Sequence, residues 1–165
     1  GNISFLFSLD FPEGKEDESE KVQIEEKIPK QDFFKESKKI ELKDASILLV
    51  EDDIMNSKVM TLNLDKHVNK IIMAVNGKEA LEKYASTKID LILMDIRMPL
   101  MDGFKTTEKI REAEMGTDSQ TPIIAVTANV STEMKKRCFE VGMNDFTTKP
   151  INFKILIKKM EALLS

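Results

Sequence analysis

From Ser46 onward, apolar runs of four or five residues alternate with stretches whose apolar positions recur every three or four residues. That is the rhythm of βαβ units, and it predicts an α/β fold with a parallel sheet between helices. The runs place strands over residues 46–50, 70–74, 90–94, 123–127 and 145–147. Ile47-Leu48-Leu49-Val50, aliphatic without a break, suits a strand buried on both faces. Between the runs, Met55, Val59 and Leu62 recur at helical spacing, as do Leu156, Met160, Leu163 and Leu164, and both stripes are expected to face the core. Asn76 followed by Glu79 has the form of a capping box, and Gly142 after Val141 that of a left-handed helix stop.

Residues 13–44 read differently. They are dense in Glu and Lys, poor in aliphatics and interrupted by Pro29, so they are expected to form a charged linker that cannot offset its ordering entropy alone. A short helix over residues 31–40, carrying Phe33 and Phe34, is the lesser expectation. The segment from Asp10 to Asp44 holds 12 acids and 8 lysines, which accounts for the whole net charge of -4. The neutral remainder offers no electrostatic footprint for nucleic acid or an anionic membrane. No apolar run approaches the roughly 18 residues of a membrane helix, and the start of the chain lacks a secretory signal, so a cytoplasmic location is expected. Cys138 is the single cysteine, which excludes an intrachain disulfide and predicts an inert, packed thiol.

The polar residues at the ends of the runs carry the chemistry. Glu51-Asp52 follow the first run, Asp95 the third, Thr127 closes the fourth, and Lys149-Pro150 follow the fifth. In a parallel sheet all of them fall at the carboxyl edge, where open α/β sheets hold ligands. Three carboxylates gathered there repel one another unless a cation intervenes. With no His or Cys among them, the oxygen-only set points to Mg²⁺, with Mn²⁺ as the alternative. The Thr127 hydroxyl and the Lys149 ammonium suit the oxygens of a phosphoryl group on Asp95. Each element alone is commonplace; their conjunction is specific. No glycine-rich ATP-binding motif occurs, so kinase activity is not expected in this chain, and His67, beside Asp65, Lys66 and Asn69, lies away from the site edge.

Four segments, Leu48-Leu-Val-Glu-Asp-Asp53, Leu93-Met-Asp-Ile-Arg-Met-Pro-Leu-Met-Asp-Gly103, Val126-Thr-Ala128 and Thr148-Lys-Pro-Ile151, resemble the receiver domains of two-component signalling. The likeness runs from about residue 45 to the end of the chain. It implies a doubly wound, flavodoxin-like (βα)5 fold, with five parallel strands ordered 2-1-3-4-5 and helices on both faces. It also implies roles. Asp95 would be the phosphoacceptor; Glu51, Asp52, Asp95 and the backbone carbonyl of Arg97 would hold Mg²⁺; Thr127 and Lys149 would bind phosphoryl oxygens. Asp53 stands where many hybrid-kinase receivers carry Asn and is expected to be a neighbour rather than a ligand. Phe146 matches the aromatic switch position acting on the face of the fourth helix, fifth strand and fifth helix. Lys149-Pro150 matches a cis peptide, and Asn129 a position that tunes hydrolysis.

The implied donor is a histidine-kinase dimerisation and phosphotransfer domain or a histidine phosphotransfer protein, docking on the first helix around Asn56, Lys58 and Met60; a weak dimer is a further expectation. The stretch from Ser4 to Pro12 is similar to the last strand of histidine-kinase ATPase domains. Residues 1–12 would then be a remnant of that domain in a hybrid sensor kinase, with Phe5, Phe7 and Leu9 seeking a new surface, and a bacterial source is expected with it. The competing reading is a pseudo-receiver that binds partners without phosphoryl chemistry. A Mg²⁺-dependent phosphohydrolase would need a further acid-base group that the sequence does not supply.

Overall fold

A computed structural model describes residues 39–165 of the chain. The expected remnant at residues 1–12 with Phe5, Phe7 and Leu9, most of the linker, and the helix carrying Phe33 and Phe34 lie outside the described residues. The five expected strands form as β1 (Ser46–Val50), β2 (Lys70–Ala74), β3 (Leu91–Asp95), β4 (Ile123–Thr127) and β5 (Asp145–Thr148). They pair in parallel, in the order β2-β1-β3-β4-β5. β3 lies one residue later than its apolar run suggests. Asp90 is held outside the ladder, its carboxylate accepting the Ser46 N–H at 2.8 Å, while Asp95 remains inside it opposite Val126.

Five helices connect and follow the strands: α1 (Ile54–Leu64), α2 (Gly77–Ser86), α3 (Gly103–Glu114), α4 (Thr132–Glu140) and α5 (Phe153–Leu164). Each starts at the carboxyl edge of the sheet behind a capping side chain. Asp53, Asn76, Asp102, Ser131 and Asn152 each accept the N–H three residues on, and such a cap contributes about 1 kcal/mol. The capping box at α2 is a variant, because the Glu79 carboxylate reaches the Val75 N–H rather than that of Asn76. At the end of α4, Gly142 takes φ 100, and the Gly142 and Met143 N–H groups bond Phe139 O and Cys138 O. This is the two-bond pattern of a Schellman stop.

Strand alternation divides the core. Ile47, Leu49, Leu91, Leu93, Ile124 and Val126 face α1 and α5, where Met60, Leu64, Leu156 and Met160 meet them. Leu48, Val50, Ile92, Met94, Ile123 and Ala125 face α2, α3 and α4. Ile40 and Leu42 join the first cluster, and the Ile40 N–H donates to Leu164 O at 3.1 Å, so the packed body begins before Ala45. Cys138 is buried, which pushes its thiol up and keeps it unreactive.

The α5 stripe packs inward as expected, but the α1 stripe does not. Met55, Val59 and Leu62 are 67%, 48% and 76% exposed, whereas Ser57, Met60 and Leu64 are buried. The helix is apolar on two sides, and the side that fits against β1 and α5 excludes the stripe with the more regular spacing.

A buried polar network closes the opposite, amino-terminal edge. The Arg111 guanidinium donates to Glu114, to Gly142 O and to Asn144, and Glu114 also accepts the Tyr84 hydroxyl and the Thr121 N–H, both at 2.7 Å. Burial raises the Glu114 proton affinity, but these donors together outweigh it and hold the carboxyl below its usual range. Glu114→Ala removes the carboxylate facing the half-buried Arg111 and the acceptor of the Thr121 N–H, and should cost about 3 kcal/mol in urea unfolding. A loss below about 1 kcal/mol would mean the network contributes little.

Candidate functional site

β1 delivers Glu51 and Asp52, β3 ends on Asp95, and the turn after β5 brings in Lys149. Glu51 is 2% and Asp95 5% exposed, while Asp52 is exposed at the mouth. Carboxylate oxygens of all three lie within 4.8 Å of one another. The Lys149 ammonium sits between the two buried acids, 2.8 Å from Glu51 Oε2 and 3.4 Å from Asp95 Oδ2. Its backbone is fixed by the Lys149 N–H bond to Thr127 O at 2.9 Å, next to a cis Lys149–Pro150 peptide.

Asp95 is seated by backbone groups. Its Oδ1 accepts the Arg97 N–H at 3.2 Å. The first residue of α3 lies against its main chain, since a Cβ on Gly103 would stand 2.3 Å from Asp95 O. Only glycine permits this approach, which explains Asp102-Gly103 as a positioning pair, with Asp102 capping and Gly103 yielding space. Glu51 Oε1 accepts the Asp53 N–H at 3.1 Å. The Asp53 carboxylate is itself engaged as the α1 cap, accepting the Asn56 N–H at 2.8 Å, and it lies outside the three-carboxylate cluster.

The electrostatics follow from the crowding. Burial, and then the negative charge of Glu51, push Asp95 up to about 7 against the opposing pull of Lys149 and the Arg97 N–H. Burial alone would lower Lys149, but its bond to Glu51 and the two carboxylate charges outweigh it and raise its proton affinity. One ammonium thus leaves the acids undercompensated. Three carboxylates with no nitrogen or sulfur donor form a set that suits a hard divalent cation such as Mg²⁺.

The remaining residues are placed as follows. Thr127 is buried at the end of β4, but its hydroxyl donates to Asn129 O at 2.8 Å and accepts the Asn129 N–H at 3.3 Å. It is turned into its own loop rather than toward Asp95. Asn129 itself is exposed beside it. Phe146, half-buried on β5, packs edge-on against Phe139 with ring centroids 6.4 Å apart, between the ammonium groups of Lys135 and Lys159 at 5.2 and 5.0 Å. Sequence reasoning did not foresee this enclosure, which depends on contacts between three elements. His67 lies in a short 3-10 turn ahead of β2, at the other edge of the sheet.

Beside the acids, a groove of about 230 Å³ is lined by Asn56, Val59, Met60, Lys149, Pro150, Ile151 and Phe153. It is continuous with the exposed apolar side of α1.

Residues 47–161 match the model of the response regulator receiver domain. The chain is 41% identical over 122 residues to hybrid signal transduction histidine kinase M of Dictyostelium discoideum, covering 72% of this chain and 5% of that protein. It spans between 5% and 12% of the length of the curated relatives it matches. The receiver domain of the sensor histidine kinase PA1611 of Pseudomonas aeruginosa, solved with a magnesium ion in its active-site cleft, superposes with a TM-score of 0.65 at 33% identity, over 73% of this chain and 98% of that one. The receiver domain of Ssk1, solved with the Saccharomyces cerevisiae histidine phosphotransfer protein Ypd1, gives 0.65 at 31% identity, over 72% and 87%. With Dictyostelium and yeast proteins among them, these relatives remove the ground for expecting a bacterial source.

Proposed function

Because the chain belongs to the response regulator receiver family, we propose that Asp95 accepts a phosphoryl group from a phosphohistidine and so switches the α4-β5-α5 face. The convergence of Glu51, Asp52, Asp95 and Lys149 at one edge of the sheet carries this reading. An Asp95 oxygen attacks phosphorus, the bond from phosphorus to the donor imidazole nitrogen breaks, the nitrogen leaves with the electron pair, and an acyl phosphate results. Glu51, Asp52, Asp95 and the Arg97 carbonyl would hold Mg²⁺, or Mn²⁺ in its place, and the bound ion would neutralise and orient the phosphoryl oxygens. Lys149, already between the two buried acids, neutralises charge on the transferring group. Thr127 then exchanges Asn129 O for a phosphoryl oxygen, and Phe146 leaves its two lysines for the space vacated. Asn129, freed from Thr127, is placed to tune attack by water.

The donor is a histidine phosphotransfer protein or the dimerisation domain of a kinase, and the exposed apolar side of α1 with its adjoining groove supports a helical partner there. Ile54, Met55, Val59 and Leu62 form that surface. Of the three docking residues expected earlier, Asn56 and Lys58 are exposed, but Met60 is core. The relatives favour a hybrid kinase as the parent protein, with this domain in the cytoplasm.

Intact-protein mass after incubation with Mg²⁺ and acetyl phosphate tests the reading: one added phosphoryl group, lost with EDTA, is expected. No adduct, together with no binding of beryllofluoride, would favour the pseudo-receiver. Since the proton on Asp95 competes with the cation, Mg²⁺ affinity measured by calorimetry should fall about tenfold from pH 8 to pH 6. Equal affinity at both would mean Asp95 is not a ligand.

A further inference from the structure

Phe146 stands half-buried on the edge strand β5, tied down from both neighbouring helices. Its N–H donates to Asp145 Oδ1 at 2.7 Å, and its carbonyl accepts the Lys159 ammonium at 2.6 Å, so side chains meet backbone groups where no further strand pairs. The same ammonium lies 2.8 Å from Asp145 Oδ1 and 5.0 Å from the centre of the Phe146 ring. One lysine of α5 thus holds the carboxylate before Phe146, the Phe146 backbone and the ring. Lys135 of α4 approaches the ring at 5.2 Å, and Phe139 of α4 meets it edge-on.

The two lysines differ in their other contacts. Lys159 is half-buried and serves the fold through Asp145 and the Phe146 carbonyl. Lys135 is exposed, and among the described residues its ammonium meets the ring and no acid. An ammonium within about 6 Å of an aromatic centre is drawn to the negative face of the ring, more strongly where water is partly excluded. Both attractions act only while the ring keeps this position. That position coincides with a Thr127 hydroxyl bonded to Asn129 O rather than turned toward Asp95. A contact present in one of two states and absent from the other shifts the balance between them, and a ligand favouring the second state binds more weakly as a result.

We infer that Lys135 and Lys159 are positioning residues of the switch: they hold the Phe146 ring between α4 and α5 and so oppose the state that a phosphoryl group on Asp95 stabilises. The inference rests on the proposed coupling of Asp95 through Thr127 to Phe146. It carries a sign that charge alone does not give. Removing a cation weakens binding of an anionic phosphoryl group by Coulomb attraction, whereas removing a restraint on the ring tightens it.

The experiment titrates the full chain with the phosphoryl analogue beryllofluoride at saturating Mg²⁺, by calorimetry, for the wild type and for Lys135→Met, Lys135→Arg and Lys159→Met. Lys135→Met should bind about threefold tighter, the factor expected for one partly exposed cation–π contact. Lys135→Arg, which keeps a cation over the ring, should match the wild type, and Lys159→Met should tighten binding at least as much as Lys135→Met. Mg²⁺ affinity without the analogue should differ by less than about twofold between Lys135→Met and the wild type, since the exposed charge is screened. In a chain that already carries Phe146→Leu, adding Lys135→Met should leave beryllofluoride affinity unchanged, because the ring it acts on is gone. Equal or weaker binding by Lys135→Met would overturn the inference, as would the same tightening in the Phe146→Leu background. No beryllofluoride binding by the wild type would overturn the phosphoacceptor role of Asp95, and this inference with it.

Discussion

Asp95→Asn is expected to abolish phosphorylation and, without metal at pH 8, to stabilise the fold. The sign follows from the crowding of acids. Burial and the charge of Glu51 raise Asp95 to about 7 in the folded chain, far above an exposed aspartate near 3.9. The folded state therefore binds a proton more tightly than the unfolded state between about pH 4 and pH 7, and stability falls as pH rises through that window. Asparagine removes the charge and keeps the shape. Lys149 and Glu51 remain paired at 2.8 Å, so no charge is stranded. The gain at pH 8 should be about 2 kcal/mol, or roughly 6 °C in Tm for a domain of this size. It should vanish near pH 4. Thermal melts of both chains from pH 4 to pH 8 measure this, and parallel pH profiles would show that Asp95 is not destabilised in the fold.

Lys149→Met should have the opposite effect on stability. The ammonium is the only cation within salt-bridge distance of either buried acid among the described residues, and methionine preserves its reach without its charge. Glu51 and Asp95 would then repel with nothing between them, costing about 2 kcal/mol at pH 8, and Mg²⁺ or acid should restore the loss. Phosphorylation at saturating Mg²⁺ should slow by about two to three orders of magnitude, the usual cost of removing one preorganised group that stabilises developing charge. The double variant Asp95→Asn with Lys149→Met separates the causes. If repulsion dominates, adding Asp95→Asn recovers most of the lost stability; simple additivity of the two effects would contradict a shared site. Urea unfolding with acetyl phosphate kinetics supplies both readouts.

β1, β3 and β4 were legible because each is a short aliphatic run flanked by polar residues, and burial on both faces leaves such runs little alternative to a parallel sheet; β2 and β5 are the partly buried edge strands, and β5, Asp-Phe-Thr-Thr, was legible only from the alternating rhythm of the units before it. The ends of those runs exposed the chemistry as well, since Glu51, Asp95 and Thr127 are polar residues where an aliphatic run stops. Other features lay beyond local pattern. Lys149 meets Glu51 across 98 residues of sequence; the strand pattern put both at one edge of the sheet, but their contact depends on strand order, which local pattern does not give. The α1 helix presents two apolar sides, so periodicity could not select the one that packs, and Met60 was misplaced on the surface. The rotamer of Thr127, turned to Asn129 O, reflects a competition between loop and site that composition does not encode. The positive φ of Leu100, 69°, carries no local signal at all, because leucine is among the last residues one expects there.

Reductive trapping gives the most direct test of Asp95 as phosphoacceptor. The chain is incubated with acetyl phosphate and Mg²⁺, quenched with borohydride, which reduces an acyl phosphate to an alcohol, then digested and sequenced by tandem mass spectrometry. Conversion of aspartate to homoserine at position 95 alone, absent from an EDTA control, is the expected result. Conversion at Asp52 or Asp53 instead, or an adduct that resists borohydride, would contradict it.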